Sequence, residues 1–170
     1  FNAITIAMSS TDPHVTVESG QYILDQLPPL GTINIDEAFT FVVDQACPDE
    51  HSLLFDLSFS SGSVTRNGRL SGIVHAAELL IQSNIVLDGD NNRLDPGEET
   101  ELQIQLANAG SMAAMNVQAR LTSDDPYIVL DETVSLDFGN ILPGASSEAL
   151  FTIAALGSCP TVHIANFDLL

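Results

Sequence analysis

The sequence predicts an all-β protein made of two antiparallel β-sandwich modules, each incomplete within the chain. Three observations carry this: apolar residues that alternate with polar ones, turn signals between short segments, and an internal repeat. Phe39, Phe41 and Val43 alternate, as do Leu53, Phe55, Leu57 and Phe59, and then Leu102, Ile104 and Leu106. Period two marks a strand with one face buried and one face wet. Asp12-Pro13 and Asp125-Pro126 open turns, Asn67-Gly68 is a hairpin signal, and Pro143-Gly144 separates GNI from SSEALFTI. Short strands divided by turns, about seven to a module, indicate a sandwich. HAAELLIQ at 75–82 is the one stretch with helical character, and it reads as the junction where one sandwich feeds the next.

The repeat sets the organisation. CPDEHSLLFDL begins at Cys47 and CPTVHIANFDL at Cys159, 112 positions apart, with Cys, Pro, His, Phe, Asp and Leu in register. Upstream, AITIAMSSTDPHVTV (3–17) answers NVQARLTSDDPYIVL (116–130). The expected modules are therefore residues 1–76, lacking its first strands, and 77–170, lacking its last strands. The first copy has no counterpart of the acidic stretch before Leu102, and the second has none of FSSGSVTRNGRLSGIV.

Composition narrows the partners. The formal charge is −19, with Arg66, Arg69, Arg93 and Arg120 as the only basic residues besides four His, and no Lys at all. Such a surface repels phosphate backbones and anionic lipid, so nucleic acid and membrane surfaces are poor partners. No apolar run approaches the roughly 18–20 residues of a membrane span, and AELLIQSNIVL is broken by Gln82, Ser83 and Asn84. The opening Phe1 and the lack of a basic leader read as a processed chain or a fragment. Few Cys, many Ser, Thr, Val and Asn, and extreme acidity point to a secreted bacterial module. No N-x-S/T sequon occurs, while the Ser and Thr content leaves room for O-glycans.

VLDGDNNRLDPGEETELQ (86–103) carries the densest chemistry. Asp88, Asp90 and Asn92 take alternate positions, followed by Asp95, Glu98 and Glu99, an oxygen-ligand spacing close to that of a calcium loop. Arg93 stands where an EF-hand needs Gly, and strands flank the loop, so it is not an EF-hand. The alternative is an Asx-turn in a solvated loop. With neither His nor Cys, the loop lacks the ligands of a catalytic metal.

The Asp-Gly-Asp loop, then LDPGE, then a strand ending in N-A-G, then TSDDPY and FGNILPG, resembles the tandem immunoglobulin-like repeats of large secreted and cell-surface bacterial proteins. Some of those repeats accompany secreted peptidases. The resemblance covers the chain from about residue 77 and, less its start, the first copy. It implies immunoglobulin-like sandwiches and a structural Ca2+ held by Asp88, Asp90, Asn92, Asp95 and Glu98.

Cys47 and His51 recur as Cys159 and His163. Two C-x3-H pairs could make a zinc site, but equivalent positions of successive modules lie about a module apart, so each Cys reads as a small buried apolar residue. A disulfide to another chain or between copies is the remaining option. Pro after each Cys gives no helix N-terminus to activate a nucleophile, and no GxSxG, HExxH, P-loop or dinucleotide fingerprint occurs. His14 and His75 read as surface residues, and Asp124-Asp125 as part of a turn.

The expected function is structural and non-enzymatic: a subunit or segment of an extracellular bacterial surface fibre assembled head to tail, its missing strands supplied by copies of itself through strand complementation or by further residues of the same tandem chain. A spacer or binding module of a secreted hydrolase is the alternative. The expected coverage is backbone from outside residues 1–76 along Ile4, Ile6 and Met8, and likewise over Phe151, Ile153 and Phe167.

Overall fold

Alternation of apolar and polar residues becomes strands throughout, and the computed structural model, which describes residues 3–170, is all-β with antiparallel pairing. Among the described residues no helix is long and apolar enough to cross a membrane. The chain divides into two compact units, Phe1–His75 and Ala76–Leu170.

In the first unit, β1 (Ile4–Ser9), β3 (Gln21–Leu24), β5 (Ser52–Ser61) and β6 (Val64–Ile73) form one sheet in the order β3-β1-β5-β6. A second sheet pairs β2 (Val15–Ser19) with β4 (Thr40–Val43). Met8, Leu53 and Phe55 are buried between them, with Val15, Val17, Phe39 and Val43 packed against this cluster.

The second unit places β10 (Ile128–Val129), β12 (Ser146–Ala155), β8 (Glu99–Asn108) and β7 (Leu79–Val86) in one sheet, in that order. β11 (Ser135–Ile141), β9 (Ala114–Thr122) and β13 (Asp168–Leu169) form the other. Leu102, Ile104, Leu106, Phe151 and Ile153 from the first sheet meet Leu121, Phe138 and Ile141 from the second in a shared core. This is a β-sandwich, its inner faces supplied by the alternation legible in the sequence.

The repeat is visible in the pairing. β1 meets β5 with Ser9 opposite Asp56 and Met8 opposite Leu57. β9 meets β13 with Thr122 opposite Asp168 and Leu121 opposite Leu169. These are the same pairs displaced by one repeat.

Two expectations need correction. Asn67-Gly68 is not a hairpin turn: both residues lie inside β6, opposite Ser58 and Leu57. The turn is Gly62-Ser63, between the paired residues Ser61 and Val64, with Gly62 at φ +60°. A two-residue loop needs a left-handed first position, which Gly62 supplies at no steric cost. β1, carrying Ile4, Ile6 and Met8, is not an edge: β3 covers one side and β5 the other, both from the same unit. Phe151 and Ile153 are likewise buried by their own unit.

N-A-G (108–110) has a structural reason. Asn108 is 1% exposed, and its amide nitrogen donates to the carbonyls of Met112 (2.8 Å) and Ile141 (2.9 Å). Its side-chain oxygen accepts from the N–H of Glu78 (3.1 Å) and Gly110 (3.0 Å). One buried side chain thus ties the entry of β7, the turn after β8 and the end of β11. Gly110 is required because a Cβ there would stand 2.3 Å from the Ala76 carbonyl oxygen. Replacing Asn108 by Ala removes four hydrogen bonds, those to the Ile141 carbonyl and the Gly110 N–H in buried surroundings, so it should destabilise the second unit by about 2–4 kcal/mol in urea denaturation.

Candidate functional site

Two places concentrate polar chemistry: the corner where each Asp-Pro turn meets its Cys-Pro-x-x-His loop, and the acidic loop before β8.

At the corner, Asp12 lies in the turn after β1, where proline sets the backbone and the carboxylate closes an Asx-turn on the N–H of His14 (2.9 Å). Its other oxygen meets His51 Nε2 at 2.8 Å. Asp125 repeats this, accepting from the N–H of Tyr127 (3.0 Å) and meeting His163 Nε2 at 2.7 Å. The flanking serines also correspond. Ser10 Oγ donates to the Leu54 carbonyl at 2.8 Å and Ser123 Oγ to the Asn166 carbonyl at 2.6 Å. A ring stands edge-on to each imidazole, His14 to His51 and Tyr127 to His163. Asp12 and Asp125 expose only 9% and 10% of their side chains.

These bonds lower both carboxyls below the ordinary value of 3.8, Asp12 mainly through the His14 N–H and then His51, Asp125 mainly through the Tyr127 N–H and then His163. Sequence reasoning missed both pairs and left His14 as a surface residue. The signal was present, since the repeat keeps Asp-Pro and Cys-Pro-x-x-His together.

The corner is not built as a nucleophile site. Cys47 is 5% exposed, and burial pushes its thiol up, with the carboxylates of Asp12 and Asp44 adding to the effect. A protonated buried thiol is a poor nucleophile. Cys159 Sγ faces the Pro160 carbonyl at 3.7 Å, and both cysteines are free thiols.

In the acidic loop Asp88 is the organiser. Its carboxylate accepts from four backbone amides: Asp90 (3.1 Å), Asn91 (3.3 Å), Asn92 (2.8 Å) and Arg93 (3.2 Å). Gly89 at φ +87° and Asn92 at φ +57° give the backbone the curl this needs. Burial raises the Asp88 carboxyl, but the hydrogen bond with the Asp90 side chain and the amides of Asn92, Arg93 and Asp90 outweigh it and hold it well below the usual carboxylate range. Asp90 is pushed up, chiefly by the same hydrogen bond with Asp88. Asp95 accepts from the Asn91 side-chain amide at 3.0 Å, and the Asp95 N–H donates to Glu98 at 2.8 Å.

Of the five residues expected to hold calcium, Asp88 and Asp90 bring their carboxylates together. Asp95 and Glu98 are engaged with other loop groups, and Asn92 contributes its N–H to Asp88. Among the described residues no three His, Cys, Asp or Glu side chains gather as a metal cage. All five carry oxygen donors of the kind a hard cation takes, but the loop brings together only the Asp88 and Asp90 carboxyls, and Asp88 is already engaged by four amides.

No protein-family model matches this chain, and no curated protein matches it significantly.

The corner sets an acid dependence. A carboxyl whose folded value is depressed contributes stability that is complete above its unfolded value and lost as the pH falls through the folded one. The Asp125→Asn variant keeps an oxygen for the Tyr127 N–H but removes the charge. The melting-temperature gap between wild type and this variant should hold steady from pH 6 to about 4 and close below about 3.8. A gap unchanged at pH 2 would remove the carboxylate from the stability of the corner.

Proposed function

We propose that this chain is a structural, non-enzymatic segment of an extracellular bacterial surface fibre made of tandem immunoglobulin-like modules. Its open strand edges are completed head to tail by neighbouring copies, and its acidic loop is stapled by calcium. The observation that carries the reading is the repetition of one sandwich plan and one Asp–His corner in two successive units. In the first unit β5 runs on past the corner and covers β1, with Ser58, Phe59 and Ser60 opposite Ala7, Ile6 and Thr5. In the second, β13 pairs with β9 only at Thr122 and Leu121, and the Leu170 backbone exchanges bonds with Arg120. Beyond them the same side of β9 has no strand partner among the described residues. An apolar groove of about 230 Å³ lies there, lined by Leu79, Ile81, Leu106, Val117 and Ala119 among others.

The first unit has the converse opening. β12 has β8 beside it, but β4, its counterpart, pairs with β2 alone among the described residues. Phe41 (43% exposed) and Val42 (50%) stand on this strand. Open edges and uncovered apolar surface, at about 25 cal/mol per Å², favour addition of a strand. Addition of unlike edges head to tail would make a heterologous contact, which propagates as a filament. The repeated Asp–His corner supports a module whose invariant chemistry is mechanical.

Electron microscopy of the purified chain should show filaments, with mass spectrometry confirming intact termini. Monomers at all concentrations would assign the missing strands to further residues of the same polypeptide and overturn assembly by copies. For the loop, chelator should lower the melting temperature of the second unit and calcium restore it. Asp90→Ala should abolish the response, and magnesium should substitute poorly.

A further inference from the structure

The two units differ at one edge where their shared plan leads one to expect the same pairing. In the first, β2 runs along β4 with Val15 opposite Val43, Thr16 opposite Val42 and Val17 opposite Phe41, and then, past a register shift, Ser19 opposite Thr40. In the second, the matching pairs Ile128–Ala155 and Val129–Ala154 form and the ladder stops. β12 runs on to Ser146 with β8 along one side, and its other side has no further strand among the described residues.

The outward groups can be assigned. Ala155 donates its N–H to Glu98 and accepts from Gly97, both on the β8 side. Hydrogen-bonding direction alternates along an antiparallel strand, so the outward N–H and C=O groups belong to Ala154, Thr152, Leu150, Glu148 and, at the strand's start, Ser146. Ala154 lies opposite β10, which leaves four residues presenting open backbone, with Thr152, Leu150 and Glu148 inside the strand.

Beside them lies a cleft of about 530 Å³ whose lining includes Val129, Val134, Leu150 and Thr152. Its only charged lining residues are Glu99 and Asp131. Asp131 accepts from the N–H (2.9 Å) and hydroxyl (2.6 Å) of Thr133, and those bonds, the hydroxyl's first, hold its carboxyl below the ordinary value. The charge is therefore built in at neutral pH.

We propose that the outer edge of β12 binds an extended, basic segment of a partner protein by strand addition, antiparallel to β12. The first unit supplies a precedent, since β2 continues past the positions matched by β10 and reaches Phe41 and Thr40, the counterparts of Ile153 and Thr152. Charge decides the occupant. A second copy joined edge to edge through β12 would set Glu99, Asp131 and Glu148 against the same carboxylates, whereas Lys or Arg between the apolar residues meets them favourably.

The test uses the whole 170-residue chain, isotope-labelled, with a short synthetic peptide alternating Val and Lys. Hydrogen exchange should slow at the amides of Thr152, Leu150 and Glu148. A peptide with Glu for Lys should bind at least roughly tenfold more weakly, and the exposed Asp131→Lys change should weaken the Val-Lys peptide at least roughly fivefold while strengthening the Val-Glu one. A Val-Lys peptide N-methylated on its β12-facing amides should not bind, a control that needs no mutation. Equal binding of both charge types would overturn the proposal, as would binding without protection at those three amides. Dimerisation of the chain through β12, abolished by Leu150→Pro, would overturn it in favour of a second copy.

Discussion

The carboxylate of the Asp-Pro turn is the point on which each unit's arrangement hangs. It closes its own turn through an N–H two residues on and reaches across to an imidazole from the loop that precedes β5 or β13. The end of β1 or β9 is thereby fastened to the start of β5 or β13, and the serine hydroxyl fixes the first backbone step of that pair. Since a slip of one residue turns every side chain to the other face, this corner decides that Met8 and Leu121 point inward.

Much of this architecture was legible because period two is a property of the strand itself. Leu102, Ile104 and Leu106, or Leu53 and Phe55, announce their buried face without reference to the rest of the chain. The repeat announced that the units share a plan. Position within a sheet was not legible, because pairing is a long-range choice: β1 stands in the middle of its sheet although it opens the described chain. Turn chemistry was ambiguous where two signals competed: the chain turns at Gly62-Ser63, which places Asn67-Gly68 inside β6 with Leu57 opposite Gly68 and Phe59 opposite Arg66. Asn108 was hidden for a related reason. A polar residue at the end of an alternating strand looks exposed until three separate segments bring their backbone groups to it. At the acidic loop the spacing of the carboxylates did not indicate that Asp88 would spend itself on four amides.

The internal duplication separates what the fold needs from what one copy adds. The aspartate, the histidine, the serine and an aromatic ring at the edge of the imidazole are kept in both units, with His14 exchanged for Tyr127. Exchange of histidine for tyrosine preserves a ring and discards a titratable base, so packing explains the position better than proton transfer does. The edge strand is where the two units differ: β2 runs along β4 for four pairs, and β10 along β12 for two.

The same charge that limits partners also protects the edges. An open strand beside apolar surface is a template for indiscriminate pairing, and proteins commonly blunt it with ionic side chains. Here the side chains of β12 that face solvent include Glu148, and its neighbour β8 contributes Glu99 and Glu101. With a net charge of −19, edge-to-edge approach of identical strands is opposed at long range and at contact. Carboxylates, however, oppose only other anions. A strand carrying cations escapes the penalty, whereas copies meeting through unlike edges at β4 and β9 still bear its long-range part, which a divalent cation bound at Asp88 and Asp90 would reduce. Acidity in this chain thus opposes anionic strands selectively and is not a general bar to strand addition.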